Sequence, residues 1–176
     1  FAVMARHEAS PITVWLRALA RDLHRQCGGV GVGAIGLCLT GNFAIALCLD
    51  DALMAPVCSQ PSLPFATGSA AAAAVHATPM TLDTIRQRHK RDGLRVLGLR
   101  FSHDPMCPKA RFDTLRTELG EAFEPVVIDS GPGNPHGLTR GAHSVLARDF
   151  VDEAGHPTRE ARDRVMAFLQ ERLKPR

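Results

Sequence analysis

The sequence predicts an α/β fold, with a mainly parallel sheet and helices on both faces. Three observations carry this. Short apolar runs at Val30–Leu37, Leu53–Cys58, Leu94–Phe101 and Pro125–Asp129 read as buried strands. Stretches of helical spacing alternate with them, as parallel neighbours joined by crossover helices require. The first run also turns directly into a helix at Cys38, with small residues on either side.

In chain order, Ser10 as N-cap and Pro11 at the first helical position open a helix with apolar positions Ile12, Trp15, Leu16, Leu19 and Leu23, which Gly28-Gly29 ends. The strand Val30–Leu37 and a helix over Leu39–Leu49 follow, then the strand Leu53–Cys58, closed by Ser59-Gln60-Pro61. Residues 62–79 are rich in Pro, Ala, Gly and Ser and read as a lid-like excursion with one helical turn at most. A polar helix at Leu82–Arg91 precedes the strand Leu94–Phe101. The helix Lys109–Phe123 then presents Phe112, Leu115, Leu119 and Phe123 on one face. After the strand Pro125–Asp129, a long Gly- and Pro-rich loop runs through His143. Pro157 starts a last helix carrying Val165, Phe168, Leu169 and Leu173. The whole chain, 1–176, reads as one domain.

Composition narrows the function. The chain has 176 residues, 45% hydrophobic and 22% charged, with a net charge of +3. That charge is too mild, and too little interleaved with aromatics, to indicate nucleic acid. The densest basic run, Arg86 to Arg91, reads as a solvated helix face. No apolar run approaches the roughly 20 residues of a membrane span, and no signal peptide is visible. Five cysteines, Cys27, Cys38, Cys48, Cys58 and Cys107, are odd in number and sit mostly in apolar runs, which suits reduced thiols in a cytoplasmic protein. The isolated His103-x-x-x-Cys107 pair lacks partners for a zinc tetrad, so neither metal nor cofactor is expected. Gly31-x-Gly33-x-x-Gly36 matches a dinucleotide fingerprint by letter. Its context is wrong, because strand residues run through it instead of preceding it.

Ligands of parallel sheets bind beyond the carboxyl ends of the strands. The loops there contain Cys38, Gln60, Asp104 and His143. In Gly36-Leu37-Cys38-Leu39-Thr40-Gly41, an abrupt strand-to-helix turn holds Cys38 above the sheet, where helix N–H groups lower a thiol pKa and bind an oxyanion. Nucleophile, acid and histidine then follow in the order such a fold supplies them, as Cys38, Asp104 and His143. Asp129 competes with Asp104, which also fits a helix cap; Asp50 and Asp51 are weaker rivals. His136 competes with His143 in the same loop. Acyl transfer assigns Cys38 as nucleophile, His143 as base and then acid, Asp104 as its orienter, and the Leu39 N–H as oxyanion donor. Gln60 is a candidate pocket residue.

These residues resemble those of dienelactone hydrolases, cysteine-using members of the α/β-hydrolase superfamily. The family's Gly-x-Cys-x-Gly-Gly elbow is matched by Gly36 to Gly41, with Thr40 in place of a glycine. Its Asp-x-x-x-Pro is matched by Asp104 to Pro108. Its Pro-Gly-Ala-Gly-His is similar to Pro132-Gly133 and Gly141-Ala142-His143, split by an insertion. The spacing from His143 to Phe168-Leu169 agrees as well. The resemblance spans nearly the whole chain. It implies an α/β-hydrolase fold and hydrolysis of a small-molecule ester or enol lactone through a thioacyl intermediate. It also implies an N-terminal half, with further strands, a second oxyanion donor and a thiol-activating carboxylate. This chain begins one helix before the nucleophile strand, at Phe1. It is therefore expected to be the C-terminal portion of a longer protein, slow in isolation and with an exposed apolar edge at Val30–Leu37. The family's substrate-gripping arginine, four residues past the histidine, is Ala147 here, with Arg148 one position on. Two other functions fit these residues: a non-catalytic binding module of the same fold, and a redox-responsive thiol protein in which Cys107 resolves a Cys38 sulfenate.

Overall fold

The computed structural model describes residues 10–174; Phe1, on which the expectation of a longer protein drew, lies outside them. Helix α1 (Pro11–Cys27) starts where the sequence places it, with the Ser10 hydroxyl accepting the Thr13 N–H at 3.3 Å. Strand β1 (Val32–Leu37) begins two residues later than its apolar run, after left-handed glycines at 28, 29 and 31. It runs through Gly33 and Gly36, so two of the three fingerprint-like glycines lie in the strand and Gly31 just before it. The single helix expected over 39–49 is three pieces. A 3₁₀ turn (Cys38–Thr40) leads into α2 (Gly41–Ala46), and a second 3₁₀ turn (Leu47–Leu49) ends it.

Strand β2 (Leu53–Ser59) is followed by the excursion, which contains the short α3 (Ser69–Ala73). Helix α4 (Pro79–Asp92) is longer than its apolar spacing indicates, because the Thr78 hydroxyl caps it by accepting the Thr81 N–H at 3.1 Å. After β3 (Val96–Phe101), α5 (Lys109–Leu119) stops short of its predicted end, and β4 (Phe123–Ile128) takes Phe123 as its first residue. Pro125 sits inside β4 and not at its start. A sheet edge tolerates this, since β4 pairs only with β3 among the described residues. Helix α6 (Pro157–Leu173) is the last element of the described residues.

The four strands of the described residues are parallel, in the order β1-β2-β3-β4, with Leu37 opposite Ser59, Ser59 opposite Leu99 and Phe101 opposite Ile128. The carboxyl ends of the strands thus lie in one row. Alternation along the strands feeds two cores. Cys58 and Val96 pack with Ile45, Ile85, Phe112 and Leu115, from α2, α4 and α5. Val57, Leu97, Leu99 and Phe101 pack with Val165 and Phe168 of α6. At Gly98 packing is so close that a Cβ would lie 2.6 Å from the Phe123 ring of β4 and 3.2 Å from the Phe112 ring of α5.

The apolar stripe of α1 departs from the usual outcome of helical periodicity. Leu16 reaches the first core, but Ile12, Trp15, Leu19 and Leu23 are exposed, Trp15 by 62%. Ile35 of β1 is 48% exposed, and β1 has no partner strand on its outer side among the described residues. The cysteines are all free. Cys48, Cys58 and Cys107 are buried as expected, whereas Cys27, at the end of α1, is exposed. No helix among the described residues is long and apolar enough to cross a membrane.

Candidate active site

Cys38 is the first residue past β1, and its φ is +54°, a left-handed value that side chains rarely take. The turn is tight enough that a Cβ at Gly36 would overlap the Thr40 carbonyl. Thr40, at the position where an elbow usually has glycine, has ordinary right-handed backbone (φ −79°) and needs none. Its hydroxyl donates to the Leu37 carbonyl at 2.8 Å and accepts the Leu37 N–H at 2.9 Å, closing the elbow from the inside.

The turn after β2 lies against this elbow. Gln60 also has positive φ, +37°, and is buried; its side-chain oxygen accepts from the Ser59 hydroxyl. The Ser62 N–H donates to the Cys38 carbonyl at 3.1 Å, and the Leu63 N–H donates to the Asn42 side chain at 3.0 Å. These bonds fix the start of the excursion over Cys38.

Asp104, 2% exposed, follows β3. Its Oδ1 accepts the N–H groups of Met106 and Cys107 at 2.9 and 3.1 Å. The N-cap of α5 is Pro108, so Asp104 does not cap that helix. Its Oδ2 lies 2.7 Å from Nδ1 of His143. His143 is 7% exposed and sits in the long loop after β4, between Ala142 and Val145, which are buried in the second core. Asp149 shapes this loop: its Oδ2 accepts the N–H groups of His143 and Ser144 at 2.9 and 2.8 Å. Nε2 of His143 is 3.5 Å from the Ser62 hydroxyl.

Electrostatics single out Cys38. Partial burial opposes its thiolate. Hydrogen bonds from His143 and Ser62, the charge of His143 and the Leu39 N–H outweigh that penalty and bring the thiol below its ordinary value. Burial likewise depresses the His143 imidazolium, but its bonds to Asp104 and Cys38 raise its pKa overall. By contrast, burial pushes Cys48 and Cys107 up to about 12, and Cys58 up as well. A Cys107 with so little thiolate at neutral pH is a poor resolving partner for a redox thiol.

The rival residues point elsewhere. His136 stacks edge-on against His156, with ring centroids 5.1 Å apart. Asp129 is exposed and accepts from the Ser102 hydroxyl and the Gly131 N–H. Asp50 accepts the Ala52 N–H and pairs with Arg21, tying α1 to the end of the elbow segment. Asp51 pairs with Arg91 of α4. The Arg148 side chain is 72% exposed and its guanidinium pairs with Asp149 at 3.2 Å.

Three residues with no sequence signal complete the arrangement: Ser62, Asp149 and Arg111. Arg111 of α5 is fully buried and donates to the carbonyls of Pro61, Pro64, Ala71, Ala74 and Met106. One guanidinium therefore joins the loop that carries Ser62 to the loop that carries Asp104. A buried, unpaired arginine is too costly to keep, so its carbonyl set is what allows it there. Nothing in the spacing of the chain announces such a partner set.

A crystal structure from Klebsiella pneumoniae subsp. pneumoniae, described as that of a candidate dienelactone hydrolase, has a similar fold, with a TM-score of 0.58 and 20% identity. The likeness covers 90% of this chain and 60% of that one, so the chain spans about three fifths of its neighbour's length. No family model matches the chain. No curated protein matches it either.

Proposed function

We propose that this chain carries the nucleophile, base and acid of a carboxylic-ester hydrolase similar to the dienelactone hydrolases. One observation supports this above the others. Nδ1 of His143 is 2.7 Å from a buried carboxylate, and the hydrogen bonding and charge of the same ring help bring the Cys38 thiol below its ordinary value. The Asp104 contact keeps the Nδ1–H tautomer, which leaves Nε2 to take a proton from Cys38. The thiolate attacks the ester or lactone carbonyl and forms a carbon–sulfur bond. The Leu39 N–H, which helps lower the Cys38 thiol, donates to the oxyanion. The imidazolium then protonates the departing alkoxide and leaves a thioacyl-enzyme, which water, deprotonated by His143, hydrolyses. We assign Gln60, buried beside the elbow with its carbonyl bonded by Ser62, to the wall of the substrate site. Arg148 is engaged by Asp149 and turned toward solvent, which favours a neutral small-molecule ester over an anionic lactone.

The test is turnover of p-nitrophenyl acetate by the protein and by Cys38→Ala. Loss of the nucleophile is expected to lower the rate by on the order of a thousandfold or more. Equal rates in the two proteins would end the proposal.

A further inference from the structure

Ser62 has a place in this chemistry that no motif assigns. It is 1% exposed, and both ends of the residue face the elbow. Its N–H holds the Cys38 carbonyl at 3.1 Å, and its hydroxyl is 3.5 Å from Nε2 of His143 and 3.0 Å from the Gln60 carbonyl. A hydroxyl has one proton to donate and two lone pairs that accept. Here that one proton has the Gln60 carbonyl at 3.0 Å and Nε2 of His143 at 3.5 Å within reach, and the same hydroxyl is among the groups that lower the Cys38 thiol.

We infer that the Ser62 hydroxyl is a rotor that bridges Cys38 and His143 and holds them as a thiolate–imidazolium pair. With Cys38 protonated, Ser62 donates to the Gln60 carbonyl. When the Cys38 proton moves to Nε2, the hydroxyl turns its own proton to the sulfur, and a lone pair accepts the new Nε2–H. No proton leaves Ser62. Once an acyl group consumes the thiolate, the hydroxyl returns to Gln60 and frees Nε2–H for the leaving alkoxide. The serine thus loads the nucleophile before substrate arrives and withdraws afterwards. The inference rests on Cys38 being the nucleophile of the proposed hydrolase.

Iodoacetamide labelling of Cys38, read by mass spectrometry across pH 5–10, measures the thiolate without any ester. Ser62→Ala is expected to move the midpoint up by about one pH unit and to slow labelling roughly tenfold below it, the effect of one charge-assisted hydrogen bond. Ser62→Thr, which keeps the hydroxyl, is expected to restore the original midpoint. Ser62→Gly takes the place of the alanine variant if that protein is insoluble. A hydroxyl-free variant whose profile superimposes on the parent overturns the inference, as does a threonine variant that behaves like alanine. The two proposals fail separately. A shifted profile in a protein without ester turnover sinks the hydrolase alone, and an unshifted profile beside Cys38-dependent turnover sinks the rotor alone.

Discussion

Cys38 holds a left-handed backbone without being glycine, and a strained position of this kind costs about 1–3 kcal/mol. Cys38→Gly should therefore unfold at higher denaturant than Cys38→Ala, by about 1 kcal/mol, while neither variant turns over ester. Gly36→Ala acts in the opposite direction. Its methyl group would overlap the Thr40 carbonyl, and a loss of about 2–3 kcal/mol is expected in the same unfolding measurement. The pair of opposed pKa shifts sets a pH window. Ester turnover should rise as Cys38 ionises, below the ordinary thiol range near 8.5, and fall again where the raised His143 loses the proton that the leaving group needs. The folded pKa of His143 lies above its unfolded value. Its stabilising contribution is therefore complete below about 6.5 and is lost as pH rises through the folded pKa. Asp104→Asn should consequently destabilise the protein more at pH 6 than at pH 9, a difference that urea midpoints at the two values will show.

Among the elements, those with local signals were legible in the sequence. Ser10-Pro11 marks the start of α1, and strand runs bounded by turn residues mark the parallel sheet. The cysteine, carboxylate and imidazole also stand out, because each follows a strand end in chain order. Errors arose where tertiary structure overrides local pattern. The elbow helix breaks into three pieces because Cys38 starts it left-handed and the Asp50 turn ends it. Pro125 looks like a strand boundary but lies inside β4, since an edge strand has a side that needs no N–H. Ser62, Asp149 and Arg111 were invisible because their partners at the site, the Cys38 carbonyl and the His143 ring for Ser62 and backbone groups for the other two, lie 5 or more residues away and are brought near only by folding. Arg111 gives the clearest expectation at this scale. Arg111→Met leaves five carbonyls without their donor, so hydrogen exchange should accelerate across residues 61–74 and at Met106. The loss of stability is expected to be on the order of 3 kcal/mol.

Across the whole molecule, the two cores are unequal in their cover. α6 closes one face of the sheet, whereas the side bearing α1 presents apolar side chains, next to an outer edge of β1 that pairs with no strand among the described residues. Such an edge templates self-association. Sedimentation of the chain should show concentration-dependent association, and Ile35→Lys should reduce it without altering the labelling profile of Cys38. A strictly monomeric parent at high concentration would contradict this. Trp15, the chain's single tryptophan, stands on that bare stripe. Its indole is thus a built-in fluorophore for whatever comes to lie there. Emission should be long-wavelength and readily quenched by iodide in dilute solution, then blue-shifted and shielded from quencher as the face is occupied, reporting coverage optically with no added label.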